Sequence, residues 1–300
     1  MKIHQITPNV FAAQVAPAPE DHGCNPSFVT TSEGIVMIDT AMLPTNARIW
    51  RDEMEKRGTI RYLVNTEHHI DHTAGNYFFP GTVIAHQGVR EILQSPLEKV
   101  KTVDAAEAEM ARTMDVREYI LWEYGKWDVP GLALARDYRV RLPSITFSDR
   151  LTVHLGDHTF ELIHLPGHTP YQIAVYVPKE RVVFTGDNFT NNAQPSFAHC
   201  CPLDWLESLK KIQSLDVDFV APGHGPMGDK KAVKKFAGSI QSAVDKVREF
   251  IARGGSKEEA ANKISFDGPV PALHAGQEAR RVDIIHLYEE LSTQRPRQSQ

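Results

Sequence analysis

The 300-residue chain reads as a single α+β domain, spanning 1–300, with four layers in the order helix, sheet, sheet, helix (αββα). Three observations predict this. A phase of short apolar runs followed by a helix-like stretch occurs twice, which suggests two sheets packed face to face with helices outside. No strong linker separates the halves, and no repeat at roughly 20–50 residues marks a solenoid. The composition, 41% hydrophobic and 24% charged, is that of an ordinary folded domain long enough to bury a sizeable core.

In chain order, VFAAQ, PSFVTT and GIVMIDT are predicted strands, with a Ser-Glu-Gly turn before the third, which ends at Asp39. Thr45 is the predicted cap of a helix through ARIWRDEMEKR that stops at Gly58. The strand RYLVN leads into a histidine-rich loop, and the strand GTVIAH is followed by the helical QGVREILQ. Residues 98–142 read as a helical insertion, most helix-like from Asp104 to Tyr124. A second strand-rich phase runs through ITFSD, RLTVHL, HTFELIHL, YQIAVYVP and RVVFTGD, with a hairpin turn at Gly156-Asp157. The helix DWLESLKKIQSL and the strand DFVA follow. Residues 229–292 close the chain with helices. In the first of them Val233, Phe236, Ala237, Ile240, Ala243, Val244, Val247, Phe250 and Ile251 recur at three- and four-residue spacing. The last helix is ARRVDIIHLYEELS.

A formal net charge of -5 argues against nucleic acid as a partner, which would call for a basic face. No stretch approaches the ~18 apolar residues of a membrane span. Three cysteines, two of them adjacent, make a disulfide framework improbable, and MKIHQITPNVF does not read as a signal peptide, so a cytoplasmic setting is expected. The expected partner is a small-molecule substrate.

Fourteen histidines occur, and most have bland readings. His4, His22, His158, His199, His274 and His286 fall in loops or on helix faces without coordinating neighbours in the sequence, and His86, His154 and His164 sit within strands. The informative ones lie where a strand has just ended, since loops held by a rigid sheet are where functional groups concentrate. Four such turns carry strong ligands: Glu67-His68-His69-Ile70-Asp71-His72, Pro166-Gly167-His168, Gly186-Asp187 and Pro222-Gly223-His224-Gly225. Nitrogen and carboxylate ligands for a zinc-like metal have to converge from several loops in this way, with glycines permitting close backbone approach.

Read in order as IDT, TEHHIDHTAG, GHT, TGD and PGHG, these motifs give the chain a resemblance over nearly its whole length to the metallo-β-lactamase superfamily, in its glyoxalase-II-like and lactonase-like branch. The resemblance implies an αββα sandwich with a metal centre at one edge of the two sheets. It implies a first metal at His69, His168 and whatever stands at position 67, a second at Asp71, His72 and His224, and Asp187 bridging the two. Asp39 resembles the family's buried aspartate that orients a ligand histidine; its other reading is a strand-end turn residue.

One position departs from the pattern. Where the family has histidine the chain has Glu67, and His68 occupies the position whose side chain normally points elsewhere. Three outcomes are open. Glu67 ligates through oxygen, keeping two ions and tilting selectivity from zinc toward Mn²⁺ or Fe²⁺. Alternatively Glu67 does not ligate, leaving a mononuclear site at Asp71, His72, His224 and Asp187. In the third outcome a local rearrangement recruits His68 instead.

A Lewis-acidic cation lowers the pKa of water and polarises a carbonyl, so the expected activity is metal-dependent hydrolysis of a small ester, lactone or thioester, with Asp71 or Asp187 receiving the proton. No organic cofactor is called for. The resemblance implies that β-lactam-hydrolysing members generally lack the bridging aspartate, so Asp187 disfavours antibiotic hydrolysis. Two other classes stay open: a metal-dependent hydrolytic dehalogenase of an activated aromatic ring, and a metal-binding protein without turnover. Tyr119, Trp122, Tyr124 and Trp127 form an aromatic group in the insertion that either packs it down or lids the substrate. Tyr171, Asn188 and Phe189 follow ligand loops and are candidate pocket walls. The resemblance also makes a homodimer plausible.

Overall fold

Strand residues in this protein alternate between two interiors, and that alternation builds the layers. The computed structural model describes residues 2–14, 23–95, 114–266 and 277–293. His22, His274 and the predicted helix start at Asp104 lie outside the described residues.

Seven strands form the first sheet in sequence order: β1 (Lys2–Gln5), β2 (Val10–Gln14), β3 (Ser27–Thr31), β4 (Gly34–Ile38), β5 (Ile60–Val64), β6 (Thr82–His86) and β7 (Ile145–Phe147). Five form the second, β8 (Arg150–Leu155), β9 (His158–His164), β10 (Ile173–Val177), β11 (Val182–Phe184) and β12 (Phe219–Ala221), in the order β12-β11-β10-β9-β8. ITF thus belongs to the first sheet, pairing parallel with β6, and does not open the second-sheet phase as its place in the sequence suggests. The Gly156-Asp157 turn joins β8 to β9 as expected.

Successive strand side chains point to opposite faces. In β4, Val36 and Ile38 enter the space between the sheets, where they join Val64, Ile84, Phe160, Leu162, Val175 and Phe184. Their neighbours Ile35 and Met37 face outward into a second core with Leu63, Val83, Trp50 and Tyr124. On the far side, Ala174, Val183 and Val220 pack with Trp205, Leu209, Val233, Ile240 and Leu287. Three cores therefore separate four layers, in agreement with the αββα expectation.

The outer helices are α1 (Pro44–Glu55), the single turn α2 (Ile70–Thr73), α3 (Gln87–Leu93) and α4 (Val116–Trp127) beside the first sheet. Beside the second are α5 (Pro202–Ser214), α6 (Lys230–Ala252), α7 (Lys257–Lys263) and α8 (Gln277–Thr293). Among the described residues no helix is long and apolar enough to cross a membrane. In α6 the buried Val233, Phe236, Ile240, Ala243, Val244 and Val247 are the apolar stripe read from the spacing.

Thr45 does not cap α1. Leu43 holds the cap position and Pro44 begins the helix. Pro lacks the N–H that a cap would satisfy, so the first orphan donor belongs to Thr45 itself. That N–H and the Thr45 hydroxyl both go to Asp128, at 2.7 and 2.8 Å, which fastens the insertion onto α1. Of the insertion's expected helical stretch, the described part includes a helix from Val116 behind a capping box made by Asp115 and Glu118. Asp128→Ala leaves the two Thr45 donors short of a partner, while Gly131 N keeps the Asp128 carbonyl at 2.9 Å. It is expected to lower the unfolding free energy by about 2–3 kcal/mol in urea titrations.

Candidate metal centre

All the ligand-bearing turns emerge at one edge because the strands that deliver them end there together. β4, β5 and β6 run parallel, as do β11 and β12. The Ile173 N–H donates to Thr66 O at 2.8 Å, and Gly223 N–H to Gly186 O at 2.9 Å, so the two sheets and their turns are tied at this edge.

The loop after β5 is held from below. Asp39, at the end of β4, adopts φ 53°, a left-handed conformation that costs a non-glycine residue about 1 kcal/mol. In return its carboxylate accepts from Thr66 N and Thr66 Oγ1, both at 2.7 Å, and meets His72 Nδ1 at 3.0 Å. His72 Nε2 is thereby turned inward. Asn65 and Asn76 exchange amide hydrogen bonds, and Asn65 Nδ2 and Thr40 Oγ1 each donate to His72 O at 3.0 Å.

Among the described residues five groups of donors lie close enough to share an ion, two of them being His68, His69 and His199, and Cys24, Asp39 and His72. Glu67, His69 and His168 offer atoms within 4.8 Å of one another, as do Asp71, His72 and His224, and as do Glu67, His72 and Asp187. Glu67 Oε2 lies 2.5 Å from His69 Nδ1 and 3.8 Å from His168 Nε2, while Oε1 lies 3.7 Å from His72 Nε2. Asp187 spans both ends: Oδ1 is 3.5 Å from His72 Nε2, and Oδ2 is 3.7 Å from His168 Nε2 and 3.4 Å from His224 Nε2. Asp71 Oδ2 is 3.1 Å from His224 Nε2 and 3.6 Å from His72 Nε2. Both Glu67 oxygens, Asp187 Oδ1 and His72 Nε2 are buried without a well-aligned hydrogen bond. Buried polar atoms are normally paired, so such a convergence of orphaned donors suits a cation.

The electrostatics agree. Burial pushes the Glu67, Asp71 and Asp187 carboxyls up, but the histidines around each outweigh it and hold all three below their ordinary range. Burial opposes protonation of His72 and His224, yet Cys24, then Asp71, Asp39 and Glu67, lift His72 well above its usual value, and Asp187 and Asp71 lift His224 to about 10. Buried Glu67 and Asp187 and the half-buried Asp71 bring three carboxylates together at this edge, a concentration that suits divalent cations.

Glycines make the approach possible at two turns. Gly186 holds φ 48°, and a Cβ there would stand 2.2 Å from Thr66 Oγ1. A Cβ on Gly223 would stand 1.9 Å from Asp187 Oδ1.

Several sequence-based expectations need correction. His68, whose recruitment is one outcome open in the sequence, is buried beside His69, ring centroids 4.6 Å apart, and shares a donor group with His69 and His199, while the Glu67 side chain joins His69 and His168. Asn188 is no pocket wall: fully buried, it accepts from His168 N at 2.9 Å and donates to Leu165 O, bracing the ligand turn from beneath. Phe189 is fully buried against Phe236 in the outer core of the second sheet, because the 3-10 turn at Gly186–Asn188 points it away from the edge. Trp122 and Trp127 are partly buried against the first outer core with Lys126 over both rings, in keeping with the packing alternative. Tyr171 does approach it, stacked on His86 and edge-on to His68 at 6.4 Å.

His199, bland in the sequence, stands with Nδ1 3.0 Å from His69 Nε2. Burial, then the charge of His69, His168 and His286, pushes it down to about 3, so its ring is neutral. Its loop is gripped by α8. Asp283 accepts from Phe197 N at 2.7 Å and from Ser196 Oγ at 3.3 Å, and His286 Nε2 donates to Cys200 O at 3.0 Å.

This geometry can be checked at two positions. Gly223→Ala is expected to push Asp187 out of place, so that the purified variant keeps its far-ultraviolet circular dichroism and holds less than half the parent's metal by elemental analysis. Burial raises the Asp283 carboxyl to about 7, against the pull of the Phe197 N–H and the Ser196 hydroxyl. A folded value above the ordinary 3.8 means that the protonated acid is the stabilising form, its contribution complete below about 4 and lost by about 7. The unfolding free energy of the metal-free parent, relative to Asp283→Asn, should therefore fall as pH rises across that window.

Known proteins share this arrangement in sequence and in fold. The profile of the metallo-beta-lactamase superfamily matches residues 19–224. A Caenorhabditis elegans beta-lactamase-like protein 2 homolog is 31% identical over 126 residues, 40% of this chain and 42% of its own. The human acyl-coenzyme A thioesterase MBLAC2 is 27% identical over 176 residues, 53% of this chain and 56% of its own. The chain thus spans about half the length of these curated relatives. Among solved structures, a metallo-beta-lactamase family protein of Thermus thermophilus superposes with a TM-score of 0.64 at 17% identity, covering 95% of this chain and 94% of that one. The chain belongs to the metallo-beta-lactamase superfamily.

Proposed function

We propose that the protein is a metal-dependent hydrolase of small thioester or ester substrates, with Glu67 as an oxygen ligand of the first ion. The observation that carries this reading is the orphaned, buried pair of Glu67 oxygens among His69, His168 and His72. In this reading Glu67, His69 and His168 hold one ion, Asp71, His72 and His224 a second, and Asp187 reaches both. Glu67 adds a hard donor and a negative charge, which suits Mn²⁺ or Fe²⁺ beside zinc. When bound, such ions draw electron density from a carbonyl oxygen and lower the pKa of water.

The chain's own groups do the rest. Asp71 and Asp187 would orient the attacking water, and a carboxylate oxygen of either one, not engaged in holding an ion, would receive its proton. Asp39 keeps His72 in one orientation throughout. The thioester preference draws on the relative named as an acyl-coenzyme A thioesterase, about half of which this chain matches. A small-molecule substrate fits a site recessed at a sheet edge.

The test uses protein loaded with zinc or manganese and a panel of acyl-coenzyme A, acyl-glutathione and aryl ester substrates, with a chlorinated aromatic nitrile as control. Thioester cleavage is expected to exceed chloride release. Glu67→Ala should hold about one equivalent less metal and lose about 100-fold or more in kcat/KM, while Glu67→His keeps both ions. A Glu67→Ala protein with the parent's metal content would refute ligation by this residue.

A further inference from the structure

We propose that His199 is a positioning residue for the first metal site: its Nδ1 holds the Nε2 side of the His69 ring, and so keeps His69 Nδ1 turned toward Glu67 and His168. The role rests on the metal-hydrolase reading above. It is carried by the 3.0 Å contact between the two rings and by the opposite direction of His69 Nδ1, which faces Glu67 and His168.

Glu67 makes the role necessary. A neutral imidazole carries one proton, and the nitrogen that holds it cannot bind a metal. Glu67 Oε2 sits 2.5 Å from His69 Nδ1 and would draw that proton onto the ligating nitrogen. An acceptor on the far side of the ring holds it at Nε2 instead. His168 is served in the same manner by the same loop, its Nδ1 lying 3.3 Å from the Ser196 carbonyl while Nε2 points inward.

The loop is built to hold this arrangement. Asp283 anchors Phe197 N and Ser196 Oγ, and Cys201 N donates to Gly167 O at 2.7 Å, linking the loop to the turn that carries His168. The rings of His69 and His199 lie 5.3 Å apart and 29° from parallel, so His199 also limits rotation of His69.

Two variants separate the hydrogen bond from the packing. His199→Phe keeps a ring and removes the acceptor; His199→Asn keeps an acceptor near the position of Nδ1. Zinc and cobalt affinities are measured by chelator competition, with stoichiometry by elemental analysis and thermal unfolding of the metal-free proteins as a control for folding. For His199→Phe one of the two equivalents is expected to weaken about 10- to 100-fold with the other unchanged, while His199→Asn binds close to the parent. In the zinc-loaded parent, proton–nitrogen spectra should show a slowly exchanging His69 Nε2–H that is lost in His199→Phe. Unchanged affinities in a folded His199→Phe protein, or equal losses in both variants, would overturn the role. A parent that takes up no metal would instead sink the hydrolase reading, and this role with it.

Discussion

Three carboxylates converge at one edge of the sandwich, and much of the surrounding structure keeps them there against their mutual repulsion. Left without counter-charge, the buried Asp39, Glu67 and Asp187 would be among the costliest groups in the protein to bury, with the half-buried Asp71 beside them. Three of the histidines are the protein's own partial answer, since the acids beside His69, His72 and His224 favour their protonation against burial, while burial keeps His168 low. The same pressure explains why the backbone here is so heavily tied. Asp39 makes three side-chain contacts, two to Thr66 and one to His72, and takes up a left-handed backbone to do so. Asn65 and Asn76 lock the loop with a reciprocal amide pair.

The sandwich supplies what no single loop could, a shared terminus for strands from both sheets. Because β4 and β5 are parallel and β11 and β12 are parallel, Asp39, the Glu67–His72 loop, Asp187 and His224 all arrive at one rim. Side-chain alternation frees the strands to be apolar on both faces, so the polar groups concentrate where the strands stop. Packing and chemistry are thus divided along the length of each strand.

Much of this is legible in the sequence, and the reasons differ by element. The strand-end turns are readable because Gly-Asp and Gly-His pairs directly after apolar runs put strong ligands where a rigid sheet can aim them. The long stripe of α6 is readable from its period. Asn188 and Phe189 mislead because adjacency to a ligand turn in the chain is not adjacency to the pocket; the 3-10 turn at Gly186–Asn188 sends one side chain beneath His168 and the other into the core. Thr45 looks like a helix cap, and only the distant Asp128 shows why it is not. His199 has no local signal at all. It is 130 residues from His69, and no spacing rule connects them.

The segment matched by the superfamily profile ends at 224, yet α8, at Gln277–Thr293, reaches back through Asp283 and His286 to the loop that backs two ligand histidines. Changes in this distal tail can therefore shift the donor groups at the rim while every one of those side chains stays the same. Relatives that share the signature motifs but end differently would then differ in metal preference for reasons invisible in an alignment of the motifs.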